Sequence, residues 1–193
     1  MQKSTLIQLQ KRMKEALYSR EGLRIRNTIK FPMWDKIIID WGEGGCSILG
    51  QAFQGWMNNE CIAWCLREPM DQYLERENLT DIANDDYVQK EWHLIHILCK
   101  IEDYFIDENR VQDMETFLQS YPPFRRGYKA EVVPYRKSEY LYEDIPTSNE
   151  YVQEVLRLFD NDLGDWEDWK NLDKPRIMKV KGHTSNKAKK LKK

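Results

Sequence analysis

Leu6, Leu9, Met13 and Leu17 recur at helical spacing, while Lys11, Lys14 and Arg20 fall off that stripe. The pattern predicts an amphipathic helix over 4–20, with the Ser4 hydroxyl able to cap its first turn and Gly22 able to stop it. From Leu23 to Phe31 the period shortens to two. Leu23, Ile25, Ile29 and Phe31 share one face and Arg24, Arg26, Thr28 and Lys30 the other, which predicts a strand ended by Pro32. Three consecutive isoleucines predict a second strand over 35–41, paired with the first as a hairpin. After Gly42-Glu43-Gly44-Gly45, residues 47–67 read as a helix with Ile48, Phe53, Trp56, Ile62 and Leu66 inward, and Asn58-Asn59 as a possible break. Pro69 interrupts it. Val88, Trp92, Ile95, Leu98, Ile101 and Phe105 predict the strongest helix, over 86–106, and a further one follows over 110–120. Residues 124–142 turn extended. Thr147 with Glu150 three residues on is a capping-box pattern, opening a helix over 148–159 that buries Val152, Val155, Leu156 and Phe159.

These elements predict an α+β fold: a helix-dominated single domain over 1–173, with a small antiparallel sheet from residues 23–41 and 129–142, and a basic C-terminal tail over 174–193. With 193 residues the chain can bury a core without disulfide or metal support. Nine glycines and seven prolines are too few for a collagen-like, low-complexity or turn-rich β chain. No apolar run reaches membrane-spanning length, so no membrane contact is expected. Met1–Ser4 leads into the amphipathic pattern with no apolar signal core. Cys46, Cys61, Cys65 and Cys99 do not form a disulfide framework, which points to buried thiols in an intracellular, reducing compartment.

Charge adds an asymmetry to the net −2. Nine of the 30 basic side chains and none of the 32 acidic ones follow residue 173, leaving the body at −11. An acidic body with a cationic tail suggests an electrostatic partner for the tail. Phe124, Arg125, Arg126, Tyr128, Lys129, Tyr135, Arg136 and Lys137 interleave basic and aromatic groups, as single-strand recognition requires, and Arg24, Arg26 and Lys30 can extend that patch. Lys187, Lys189 and Lys190 belong to a polybasic arm whose binding to DNA or RNA would release counterions. Trp166 and Trp169, among Asp162, Asp165, Glu167 and Asp168, either dock in a partner or fold back onto the domain, and the cost of exposing two indoles favours folding back.

Three constellations carry possible site chemistry. Ile37-Ile38-Ile39-Asp40-Trp41-Gly42-Glu43-Gly44 resembles the first motif of class I S-adenosylmethionine-dependent methyltransferases, and Tyr121-Pro122-Pro123-Phe124 resembles the Pro-Pro-aromatic motif of their amino-methylating members. That resemblance implies a parallel sheet, with Asp40, Gly42 and Gly44 at the cofactor and a flipped base stacked on Phe124. Cys61 with Cys65, and His93 with His96, would each face one way on two packed helices and could offer Cys₂His₂ to zinc, although buried thiols and hydrogen-bonded histidines explain them more cheaply. His96 and Cys99 also allow a thiolate–imidazole pair.

The expected function is a non-enzymatic subunit of a nucleoprotein complex, needing no cofactor, that contacts nucleic acid through its basic segments and a protein partner through its acidic body. The alternatives are a viral or mobile-element effector that inhibits a host protein, and the methyltransferase.

Overall fold

Lys3–Leu17 forms α1, with Leu6, Leu9, Met13 and Leu17 buried on one stripe. The computed structural model describes residues 1–31, 36–38, 40–42, 44–78, 91–120, 129–136 and 148–174. Ser4 lies inside α1; the capping position is Gln2, and it makes no side-chain cap. The next segment is helix α2, Arg20–Arg26, where the alternation predicted a strand. Ser19 caps it by accepting from Gly22 N, Glu21 sits in the first turn, and Arg24 pairs back to Glu21. Gly22, Ile25 and Ile29 are then buried at helical spacing. Arg24 and Arg26 therefore do not line a strand face. Of the expected hairpin, a single antiparallel bridge joins Lys30 to Ile37, outside the main sheet.

The predicted helix over 47–67 divides. Its first part is α3, Cys46–Trp56, and Asn58 and Asn59 end it by taking φ 52° and 61°, a left-handed turn that asparagine tolerates. The rest is strand β1, Ile62–Pro69, in which Ala63 and Cys65 face one way and Trp64 and Leu66 the other. Helix α4, Met70–Arg76, follows.

The strongest predicted helix is replaced by strand β2, Trp92–Ile101, and strand β3, Tyr104–Ile106, joined by a two-residue turn in which Glu102 has φ 52°. A strand covered on both faces is apolar at nearly every position, so helical spacing can be picked out of it by coincidence. Strand β4, Val111–Asp113, leads into α5, Met114–Ser120, whose first turn is held by Asp113 accepting from Thr116 N at 2.8 Å. Strand β5, Glu131–Pro134, falls within the expected extended segment.

Among the described residues, all strand pairings of the sheet are antiparallel, in the order β4-β3-β2-β1-β5. Seven helices and this five-stranded sheet among the described residues make an α+β, helix-dominated fold. The parallel layout implied by the methyltransferase resemblance is not the arrangement of this sheet. One face packs against α3; the other is covered by α5, where Phe117 meets Leu66, Leu98 and Phe105.

Helix α6, Asn149–Asp162, is capped by Ser148 rather than by Thr147, which lies outside the described residues. It packs along α3, burying Val152, Val155, Leu158 and Phe159, while Leu156 stays half-buried. Helix α7, Trp166–Leu172, folds back as the cost of exposed indoles requires. Trp166 is buried against Trp56 with ring centroids 5.7 Å apart, and the Trp169 indole N–H donates to the Leu163 carbonyl. No described helix is long and apolar enough to cross a membrane.

Phe159 sits edge-on to Phe53 and Trp56 at the α3–α6 contact, with no exposed surface. Phe159→Ala is expected to lower stability by about 3–5 kcal/mol, the usual result of opening a cavity at a large aromatic. Urea unfolding of the full chain checks this.

Candidate active site

The segment before α3 is pinned where it begins, by two contacts to the end of α1. The Trp41 indole is fully buried and donates to the Leu17 carbonyl at 3.0 Å, and the Tyr18 hydroxyl donates to Asp40 Oδ1 at 2.8 Å. Burial, then the bond to Asp40, pushes Tyr18 up to about 12. Gly44 has φ +92°, and its missing side chain leaves the space that the Phe31 ring fills. A methyl on Gly42 would strike Glu108 Oε1. These two positions need glycine because the backbone passes tightly under neighbouring side chains. The turn delivers Cys46 as the first residue of α3, and the cap residue, Gly45, contributes no side-chain hydrogen bond. First-turn amides of such a helix favour negative charge.

His96 comes to Cys46 from β2. The β1–β2 register slips between Leu66 and Arg67, which face His96 and Leu94 and leave Ile95 as an extra residue. Leu94 and Ile97, three apart, consequently both join the cluster that contains Cys46. A bulge of this kind re-aims the side chain beside it. The His96 ring is buried, with Nε2 3.3 Å from Asp107 Oδ2, and it interacts with the Cys46 side chain. Burial works against a charged ring, but the bonds to Asp107 and Cys46 outweigh it and push His96 up to about 10.

Asp107 opens the turn between β3 and β4. Its Oδ1 accepts from the backbone N–H groups of Asn109 (2.8 Å) and Arg110 (2.9 Å), and Arg110 Nε lies 3.4 Å from Oδ2. Burial opposes its charge, yet His96, the turn amides and Arg110 hold the carboxyl below its ordinary range. The acid that orients His96 is thus fixed by its own turn. Glu108, next in the chain, is also buried; desolvation, then the neighbouring Asp107 charge, raises it. A cavity of about 20 Å³, room for about one water molecule, lies behind Asp107 and Glu108 against Met13, Leu49 and Phe53.

His96, Asp107 and Glu108 bring ligand-type atoms within 4.8 Å of one another, near enough to hold a cation. Their lone pairs have other uses. Asp107 is engaged by His96 and two amides, Glu108 Oε1 accepts from Asn109 Nδ2 at 2.6 Å, and a protonated imidazole cannot ligate. The set fits proton transfer better than metal binding.

The Cys₂His₂ grouping is not formed as predicted, because its members lie on or beside strands rather than on two helices. Cys61 interacts with Cys99, Cys65 lies on β1, His93 stacks on Tyr73 at 3.6 Å, and His96 turns to Cys46 and Asp107. Cys99 donates to the Gly50 carbonyl instead of pairing with His96. Asp40, Gly42 and Gly44 do not follow a strand of the sheet, as a cofactor loop would; they pack against Tyr18, Glu108 and Phe31. Among the basic candidates, the Lys129 backbone bonds the Gln72 side chain and Arg136 follows β5. Arg125, Arg126, Tyr128, Lys137, Lys187, Lys189 and Lys190 lie outside the described residues, as do Tyr121, Pro122, Pro123 and Phe124.

Sequence reasoning did not single out Cys46 or Asp107 as site residues. The available signal was a cysteine placed first in a helix after a glycine turn, a position that favours a thiolate. Of the four cysteines, Cys46 keeps the most exposure, 8% against 0–2% for the others. Comparison with protein families, with curated proteins and with solved structures gives no match.

The depressed Asp107 carboxyl has a signed consequence. A folded-state value below the ordinary 3.8 stabilises the fold above that pH, and the contribution drains away as pH falls through the folded value. Asp107→Asn is therefore expected to unfold at lower urea than wild type at neutral pH, with the gap closing as pH falls below 3.8. Urea midpoints across this range check it; a gap that widens in acid contradicts it.

Proposed function

We propose that the chain is a cysteine-dependent acyl-transfer enzyme. Cys46 is the nucleophile, His96 the general acid and then base, and Asp107 the group that orients the imidazole. The observation that carries this reading is His96, with Nε2 3.3 Å from Asp107 Oδ2, lying within electrostatic reach of Cys46 at the start of α3. With Nε2 engaged by Asp107, Nδ1 is the nitrogen open to the thiol.

The chemistry follows from these positions. The Cys46 sulfur attacks as the thiolate, beside the His96 imidazolium, at the carbonyl carbon of an amide, ester or thioester. The carbonyl oxygen gains negative charge, and the first-turn amides of α3 are suited to stabilise it. Collapse expels the leaving group, which receives the proton from His96, and a thioester remains on Cys46. A water or amine then gives a proton to His96 as it attacks the thioester. Release of the acyl product breaks the C–S bond and restores the thiolate, while His96 keeps the proton it took. Asp107 keeps its charge throughout and stabilises the imidazolium.

An activated ester tests the reading without a known substrate. Incubation with p-nitrophenyl acetate is expected to acetylate Cys46 ahead of Cys61, Cys65 and Cys99, as mapped by peptide mass spectrometry. Cys46→Ala abolishes that label, and His96→Gln slows it by about 10²–10⁴-fold, the usual worth of general acid–base catalysis. Equal labelling of all four cysteines, or a rate indifferent to His96, contradicts the assignment.

A further inference from the structure

We propose that Glu108 is a positioning residue for this reaction, its buried side chain acting as the strut that sets the spacing between the glycine turn carrying Cys46 and the β3–β4 turn carrying Asp107. The inference rests on the acyl-transfer reading and adds a residue to it. Glu108 is only 3% exposed, although glutamate is among the residues least often buried. Three contacts fix it. Its backbone carbonyl accepts from Gln10 Nε2 of α1 at 2.7 Å, its Oε1 accepts from Asn109 Nδ2 at 2.6 Å, and the same oxygen occupies the space a side chain on Gly42 would need. Gly42 stands four residues before Cys46, and Asp107 is the adjacent residue on the other side. The nucleophile and the orienting acid thus arrive on two turns that meet at this carboxyl.

The charges around it explain why a carboxyl serves there. Asp107 lies on the same turn, Asp40 precedes Gly42, Tyr18 ends α1, and His96 faces it from β2. Burial and the neighbouring carboxylates favour the protonated form of Glu108, and His96 alone among these opposes it. A carboxyl biased toward its protonated form fills the gap with less negative charge beside the imidazole than a free carboxylate would place there. A second carboxylate there would tighten the hold of His96 on its proton and slow delivery to the leaving group.

The strut and its neutrality are separable by substitution. In the full chain, acetylation of Cys46 by p-nitrophenyl acetate is followed across pH for wild type, Glu108→Gln, Glu108→Ala and Gly42→Ala. Glu108→Gln keeps shape and neutrality, so its rate and pH profile are expected to stay close to wild type. Glu108→Ala removes the strut and Gly42→Ala displaces it; both are expected to lose about 10²-fold, the cost of misplacing a reacting group by about 1 Å, with a shifted pH profile. If either alanine variant fails to fold, the other carries the comparison, and should both fail, loss of the wild-type profile in Glu108→Gln overturns the proposal. Wild-type rate and profile in a folded alanine variant also overturn it while leaving the acyl-transfer reading intact. A wild-type protein that does not acetylate at Cys46 overturns both.

Discussion

The contact of His96 with Asp107, and its interaction with Cys46, is what the site depends on. A buried imidazole is costly to charge, so a ring pushed up to about 10 needs partners that outweigh desolvation. Of these, the bond to Asp107 is the largest single contribution, and it can be so because two backbone amides and Arg110 hold the Asp107 charge in place. Cys46 completes the set from a separate element. Removing any one of the three leaves the others buried with an unmet requirement, and for this reason they act as a unit.

The fold is arranged to bring these groups together from distant parts of the chain. Strands β2 and β3 form a hairpin that sets His96 and Asp107 side by side, with the Ile95 bulge turning the histidine toward the helical layer. Helix α3 lies on that face of the sheet, and α6 braces it from behind through Phe159 and Val155. Trp41 and Tyr18 tie the glycine turn to the end of α1, so the start of α3 is fixed by the same helix that bonds the Glu108 carbonyl through Gln10. Positioning precision of this kind comes from packed elements rather than from the turns alone.

What the sequence made legible follows from how many faces each element buries. Helices α1 and α6 bury one stripe each, and their apolar spacing was diagnostic. The class of fold followed, as did the folding back of Trp166. Strands β1 and β2 are covered on both faces, so Cys65 and Leu66, or Ile97 and Leu98, are buried side by side, and a helical spacing could be read from them. Helix α2 failed in the opposite sense, since a short helix decided by the Ser19 cap and the Glu21–Arg24 pair carries little periodicity. The site was hidden for a third reason. His96 was noticed, but its partners were sought at helical spacing as His93 or Cys99, whereas a strand and a bulge send it to Cys46 and Asp107. Long-range pairing of this sort leaves no local periodicity to read.

The most direct test of the account is the titration of the His96 ring, followed by NMR in ¹⁵N-histidine-labelled protein. The account predicts an imidazolium that persists to about pH 10 and that titrates at lower pH in Asp107→Asn and Cys46→Ala. A His96 ring that loses its proton near the ordinary value of 6.5, unmoved by either substitution, would contradict it.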